Sequence, residues 1–146
     1  MKTKWILWLL CALQIQSCLS QKVIKTQTKP IITIKYITQT RGQFKTITLT
    51  PKKIVIKIQT KPQISTLQDT TAFNKILDKV KRINLAALKD LKSPSKNFLF
   101  DGAPLAKLII VKNEEKYETP PFDHGNPNTK IADLVKDILY LSKNIE

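Results

Sequence analysis

IITIKYITQTRGQFKTITLTPKKIVIKIQT, residues 31–60, is the stretch that decides the fold. Ile31 to Gln39 is rich in β-branched residues, which favour the pleated backbone. Ile32, Ile34 and Tyr36 fall on one face and Thr33, Lys35 and Gln39 on the other, with Ile31 and Ile37 breaking the pattern. Phe44 to Thr50 repeats the alternation with Ile47 and Leu49 on one side. Ile54 to Thr60 gives the cleanest case, Ile54, Ile56 and Ile58 alternating with Val55, Lys57 and Gln59. The breaks between strands are short. Thr40-Arg41-Gly42-Gln43 offers a glycine able to take positive φ. In Thr50-Pro51-Lys52-Lys53 the proline presets the first central position of a turn. Such spacing predicts a three-stranded antiparallel meander with one buried face.

Downstream the period changes. Residues 61–68 contain Pro62 and Ser65 and read as a linker. From Asp69 or Thr70 the apolar residues Phe73, Ile76, Leu77, Val80 and Ile83 recur at three and four, the stripe of an amphipathic helix, and Asp69 in its first turn suits the helix dipole. Leu85, Leu88 and Leu91 suggest a second, short helix before Ser93-Pro94-Ser95. Leu105 to Lys112 and Lys116 to Thr119 read as a hairpin around Asn113 to Glu115, ended by Pro120-Pro121. Phe122 to Asn128 is a loop dense in turn formers. A last helix is expected from Thr129 to Lys143, with Ile131, Leu134, Val135, Ile138 and Leu139 or Leu141 facing inward. The expected class is α+β: an antiparallel sheet, made of a three-stranded meander plus a later hairpin, with two main helices packed on one face.

The first twenty residues, MKTKWILWLLCALQIQSCLS, read differently. Lys2 and Lys4 precede an apolar run from Trp5 to Leu13 that is too short to span a bilayer, which takes roughly 20 residues, but has the length of a signal-peptide core. Two exits are open. Ile15-Gln16-Ser17-Cys18 resembles a lipoprotein cleavage box that would leave Cys18 as the lipidated residue, although Gln16 departs from the usual small or apolar residue. Alternatively, Cys18 and Ser20 supply the small residues for cleavage after Ser20. Residues 21–30 then form a basic tether, and residues 31–146 a single domain. The reading implies an exported protein: periplasmic, anchored to the membrane as a lipoprotein, or secreted. Cys11 and Cys18 are the two cysteines of the chain, so residues 31–146 form no disulfide.

Charge is placed unevenly. From Gln21 to Gln68 there are ten basic residues and no acidic one, whereas all eleven carboxylates lie from Asp69 onward. Strand lysines such as Lys35, Lys45 and Lys57 either contact an anionic membrane or polysaccharide surface or form the solvated face of the sheet, where lysine also discourages edge-to-edge aggregation. Nucleic acid is a poor fit: Tyr36 and Phe44 alone offer stacking in the basic half, and the leader directs the chain away from it.

Catalytic motifs are sparse. The chain lacks a G-x-S-x-G elbow, a P-loop and a G-x-G-x-x-G loop, and Glu114, Glu115 and Glu118 fall on a hairpin where solvation is the simplest reading. His124 is the one histidine; with Asp123 beside it and Asp101 in another loop, it could do acid–base work or bind a cation. The plainer reading is a turn in which Asp123 and Asn126 bond backbone amides. One histidine without cysteines in residues 31–146 does not supply a zinc site, and no cofactor is expected.

Thr40-Arg41-Gly42, Asp101-Gly102-Ala103, Tyr117 and Phe122-Asp123-His124-Gly125-Asn126-Pro127 together resemble small exported proteins of unknown function from flavobacteria-like bacteria. The resemblance implies an envelope location and no activity. The expected function is binding of a protein or ligand in the envelope, with Arg41, Asp101, Asp123, His124 and Asn126 as contacts. The alternatives are a small hydrolase-like acid–base enzyme using Asp123 and His124, and electrostatic attachment to anionic envelope surfaces.

Overall fold

The computed structural model describes residues 31–59, 61–66 and 70–143. The leader, the tether, Cys18 and Asp69 therefore lie outside the described residues. Strands β1 (Ile32–Gln39), β2 (Phe44–Leu49), β3 (Lys53–Ile58) and β4 (Lys61–Thr66) run as a meander. Helix α1 (Thr71–Lys81) follows, then two short 3-10 helices, Leu85–Asp90 and Asn97–Phe100. Strands β5 (Leu105–Lys112), β6 (Glu115–Glu118) and β7 (Phe122–Asp123) precede helix α2 (Thr129–Lys143). All pairings are antiparallel, in the order β4-β3-β2-β1-β5-β6, with β7 also on β5. The α+β class, the antiparallel sheet and the two main helices on one face agree with the sequence reading.

The meander closes through threonine. At the first turn Thr40 N–H donates to Gln43 O (2.8 Å) and Gln43 N–H to Thr40 Oγ1 (3.1 Å); at the second, Thr50 and Lys53 make the same pair of bonds (2.9 and 3.2 Å). Gly42 does not use positive φ, because these hydroxyl bonds close the four-residue turn without it. The meander has four strands rather than three. Residues 61–66, expected as a linker, pair with β3 as an edge strand, and an edge is where a strand tolerates a proline such as Pro62.

The inward residues are those the alternation indicates. Ile34, Tyr36, Ile47, Leu49, Ile54 and Ile56 are buried, and register stacks Ile34 between Leu49 and Ile110, and Tyr36 between Ile47 and Leu108. α1 covers them with Phe73, Ile76, Leu77 and Val80, and α2 with Ile131, Leu134, Val135 and Ile138. Lys79 of α1 ties the helices together, reaching Asp137 Oδ2 (2.6 Å) and Asp133 O (3.2 Å) of α2. Asn128 caps α2, its Oδ1 accepting from Lys130 N–H at 3.1 Å.

Two features of β5 set up the site. Its turn to β6 places Asn113 and Glu114 at φ 50° and 71°, the backbone of a tight two-residue hairpin. Beyond β6, Thr119, Pro120 and Pro121 oppose only Leu108 and Lys107 before pairing resumes at Phe122, which makes a bulge. Prolines donate no hydrogen bond, so the ladder is interrupted there. Thr119 bridges the gap: its N–H donates to Leu108 O (3.0 Å) and its Oγ1 accepts from Leu108 N–H (3.1 Å). Phe122 and Asp123, expected in a loop, thus rejoin β5 as a short strand.

Candidate functional site

Three segments meet at one end of the sheet: the β1–β2 turn, residues 97–104, and residues 123–126. Register brings them together, since Gln39 pairs with both Phe44 and Leu105, and Leu105 pairs with Asp123. Arg41, Asp101, Asp123, His124 and Asn126 therefore share this end, but they belong to three separate arrangements.

Arg41 and Asp101 form an ion pair through Nη2 and Oδ2. Asp101 holds left-handed backbone, φ 58°, at the end of the second 3-10 helix. With side chains 88% and 56% exposed, the pair contributes at most about 1 kcal/mol to stability. It spans a cleft of about 670 Å³ lined by Gln39, Arg41, Phe98, Asp101 and Pro104.

Asp123 is buried and fully engaged. Its carboxylate accepts from Ser95 Oγ (2.5 Å), Asn97 N–H (3.0 Å) and Phe98 N–H (2.7 Å). Burial alone would raise its pKa, but the bonds from Ser95, Phe98 and Asn97 outweigh that and hold it below the ordinary aspartate value. Asn126 completes the lock, donating from Nδ2 to Ser95 Oγ (2.7 Å) and from its N–H to Asp123 O (2.8 Å). Gly125 supplies the positive φ of 80° that the turn requires.

His124 faces the other way. Its ring lies 5.7 Å (centroid to centroid) from that of Tyr36, whereas the Asp123 carboxylate turns to Ser95 and the Asn97 and Phe98 amides, so adjacency in sequence does not bring the two side chains together. The His124 N–H donates to Pro104 O (2.8 Å), and its Nδ1 lies 2.9 Å from Tyr36 Oη. Tyr36 Oη and His124 Nδ1 share one hydrogen bond whose direction is set by which ring nitrogen carries the proton, and the Gly125 amide lies close enough to favour the ionised phenol. Burial pushes the Tyr36 hydroxyl up to about 12, partly offset by that amide. Partial burial, with the Lys45 ammonium adding repulsion, lowers the His124 pKa below its ordinary value. Among the described residues no carboxylate bonds the His124 ring, and no group of three acidic, histidine or cysteine side chains could hold a metal ion.

The chain matches no family model, no curated protein and no solved structure.

Sequence reasoning overlooked Tyr36 and Ser95, the partners of His124 and Asp123. A tyrosine on the inward face of a central strand was the available signal, because a buried phenol requires a hydrogen-bond partner. It also overlooked Leu99 and Phe100, which stand 61% and 84% exposed on the 3-10 turn that Asp123 holds. Among the described residues no helix is long and apolar enough to cross a membrane.

Proposed function

We propose that this is an exported cell-envelope protein that works by binding rather than catalysis, and that it contacts its partner through the sheet end carrying Arg41, Asp101, His124 and Asn126. The observation that carries this reading is how the carboxylate at the centre is used. Asp123 spends its lone pairs on Ser95, Asn97 and Phe98 and so fixes the shape of the loop. His124 is held by a phenol and has no acid to orient it as a base, so this end offers a fixed surface and a cleft but lacks the histidine–carboxylate pairing that acid–base catalysis asks for.

Retention of the full chain by envelopes of the cell that makes it tests the reading. Arg41→Glu and His124→Gln should each weaken retention, while Lys136→Glu, the same charge reversal on the exposed side of α2, should not. Equal retention by all three variants removes the sheet end as the contact. Intact-mass analysis of the protein from its native envelope tests export, since loss of residues 1–20, or a lipid on Cys18, is expected.

One observation favours electrostatic attachment as a second reading. The sheet face away from the helices displays exposed Lys35, Lys53 and Lys57 between Thr33, Thr46 and Thr48. Glu118, on the same face, is already engaged by Lys107 and Lys116. Binding through this face should collapse between low and moderate salt.

A further inference from the structure

Residues 97–102 form a turn that is tightly held and yet presents apolar side chains to water. Asp123 accepts the Asn97 and Phe98 amides at its start. Leu99 N–H donates to Lys96 O (3.1 Å) and Gly102 N–H to Asn97 O (3.0 Å), closing it. Gly102 lets the turn close without displacing its neighbour, since a Cβ there would come within 3.3 Å of Asn97 Cβ. At the tip Leu99 is 61% and Phe100 84% exposed, and Phe44, at the same end of the sheet, is 42% exposed. Single exposed apolar residues need no explanation, but two adjacent ones at the apex of an anchored turn mark a contact surface.

Charge says what the surface meets. Lys96 directly precedes the turn, Lys45 lies near His124 at the same end, and Arg41 balances Asp101, the one carboxylate beside Phe100, so the end keeps a net positive charge toward a partner. Apolar side chains at an apex with cations behind them match the interface of an anionic bilayer, where the hydrocarbon edge takes up the side chains and the headgroups meet the basic ones. Side chains as exposed as Leu99 and Phe100 require no complementary pocket in such a partner.

We infer that Leu99 and Phe100 insert into the interfacial layer of an anionic lipid bilayer, with Lys96 and Arg41 at headgroup level. This rests on the reading of the sheet end as the contact region and names its partner.

The test places a reporter at the tip. Phe100→Trp in the full chain is mixed with vesicles of equal parts phosphatidylglycerol and phosphatidylcholine, and its emission is read as the difference from the parent chain, which carries Trp5 and Trp8. Tyr140→Trp, at a 66% exposed position on α2, is the control and remains insensitive even where the leader itself holds the chain on the vesicle. The expected result is a blue shift at position 100, none at position 140, and a shift at least halved on pure phosphatidylcholine. No shift at position 100, or equal shifts at both positions, overturns insertion, and an equal shift on phosphatidylcholine overturns the role of anionic lipid. The Leu99→Ser/Phe100→Ser double variant separates this inference from the functional reading. If that variant loses retention by detergent-solubilised, lipid-depleted envelope protein while the vesicles give no shift, the tip docks on a protein, so the bilayer inference falls and the binding reading stands. If it retains the parent's binding to both vesicles and envelope protein, the inference falls; if Arg41→Glu and His124→Gln retain theirs as well, so does the reading of this end.

Discussion

Tyr36→Phe isolates the one buried hydroxyl on which the site is hung. The phenol is fully buried on β1 and bonded to His124, and burial lifts its pKa from 10.0 to about 12. At neutral pH the variant loses one hydrogen bond and keeps the ring, which costs about 1 kcal/mol. At high pH the order reverses. A group whose folded pKa lies above its unfolded value stabilises fully below the unfolded value and loses that contribution as pH rises toward the folded one. In the wild type this loss reaches about 1.4 kcal/mol near pH 11 and about 2.3 kcal/mol near pH 12. The phenylalanine variant has no phenolic proton to lose, so the two stability curves should cross at about pH 11. Urea unfolding of both proteins at a series of pH values gives the curves, and lysine titration, common to both, cancels in their difference. Absorbance of tyrosinate should lose its latest-titrating component in the variant, while Tyr117, which Glu115 also holds above the ordinary tyrosine value, is unchanged. Parallel curves from pH 10 to 12, or a Tyr36 that titrates at the ordinary tyrosine value of 10.0, would refute the burial of the Tyr36 hydroxyl against His124.

Other substitutions test neighbouring parts of the account. Thr119→Val keeps shape but orphans the buried Leu108 amide at the bulge, and should destabilise by about 1–3 kcal/mol in urea unfolding. Glu114→Gly relieves a positive-φ position in the β5–β6 turn and should stabilise by about 0.5–1 kcal/mol. Asp123→Asn should speed hydrogen exchange at the Asn97 and Phe98 amides while leaving the amides of β2 and β3 protected. Because the folded pKa of Asp123 is depressed, its contribution is present above the ordinary aspartate value and fades as pH falls through the folded one; the variant should lack that acid-side slope. The folded pKa of His124 is likewise depressed, so the unfolded chain takes up this proton first as pH falls. Stability should therefore fall as pH drops from the ordinary histidine value of 6.5 toward the folded value, and His124→Gln should remove the slope.

The parts of the fold visible in sequence are those with a strong period. Ile32, Ile34 and Tyr36 alternate strictly, and α2 occupies the residues its stripe indicates, because in both cases a single buried face dictates the spacing. β4 was hidden because an edge strand has little apolar burial to declare, and Pro62 reads as punctuation unless the strand is known to lie at an edge. Within the site, the turn formers at 123–126 were legible, as was the tendency of Asp123 to bond backbone amides. Which amides it bonds was not, since Asn97 and Phe98 lie 26 and 25 residues away and are brought in by β5 pairing with β7. Arg41 and Asp101 do meet, but through the register of β1 with β2 and β5, which no local pattern encodes.

Under the proposed function, partners dock on the end of the sheet held by Asp123. Amide chemical-shift mapping during titration with solubilised envelope from the cell of origin tests it most directly. Shifts concentrated in residues 40–43, 97–104 and 123–126 are predicted. Shifts confined to α1, α2 or the lysine-bearing sheet face would contradict it.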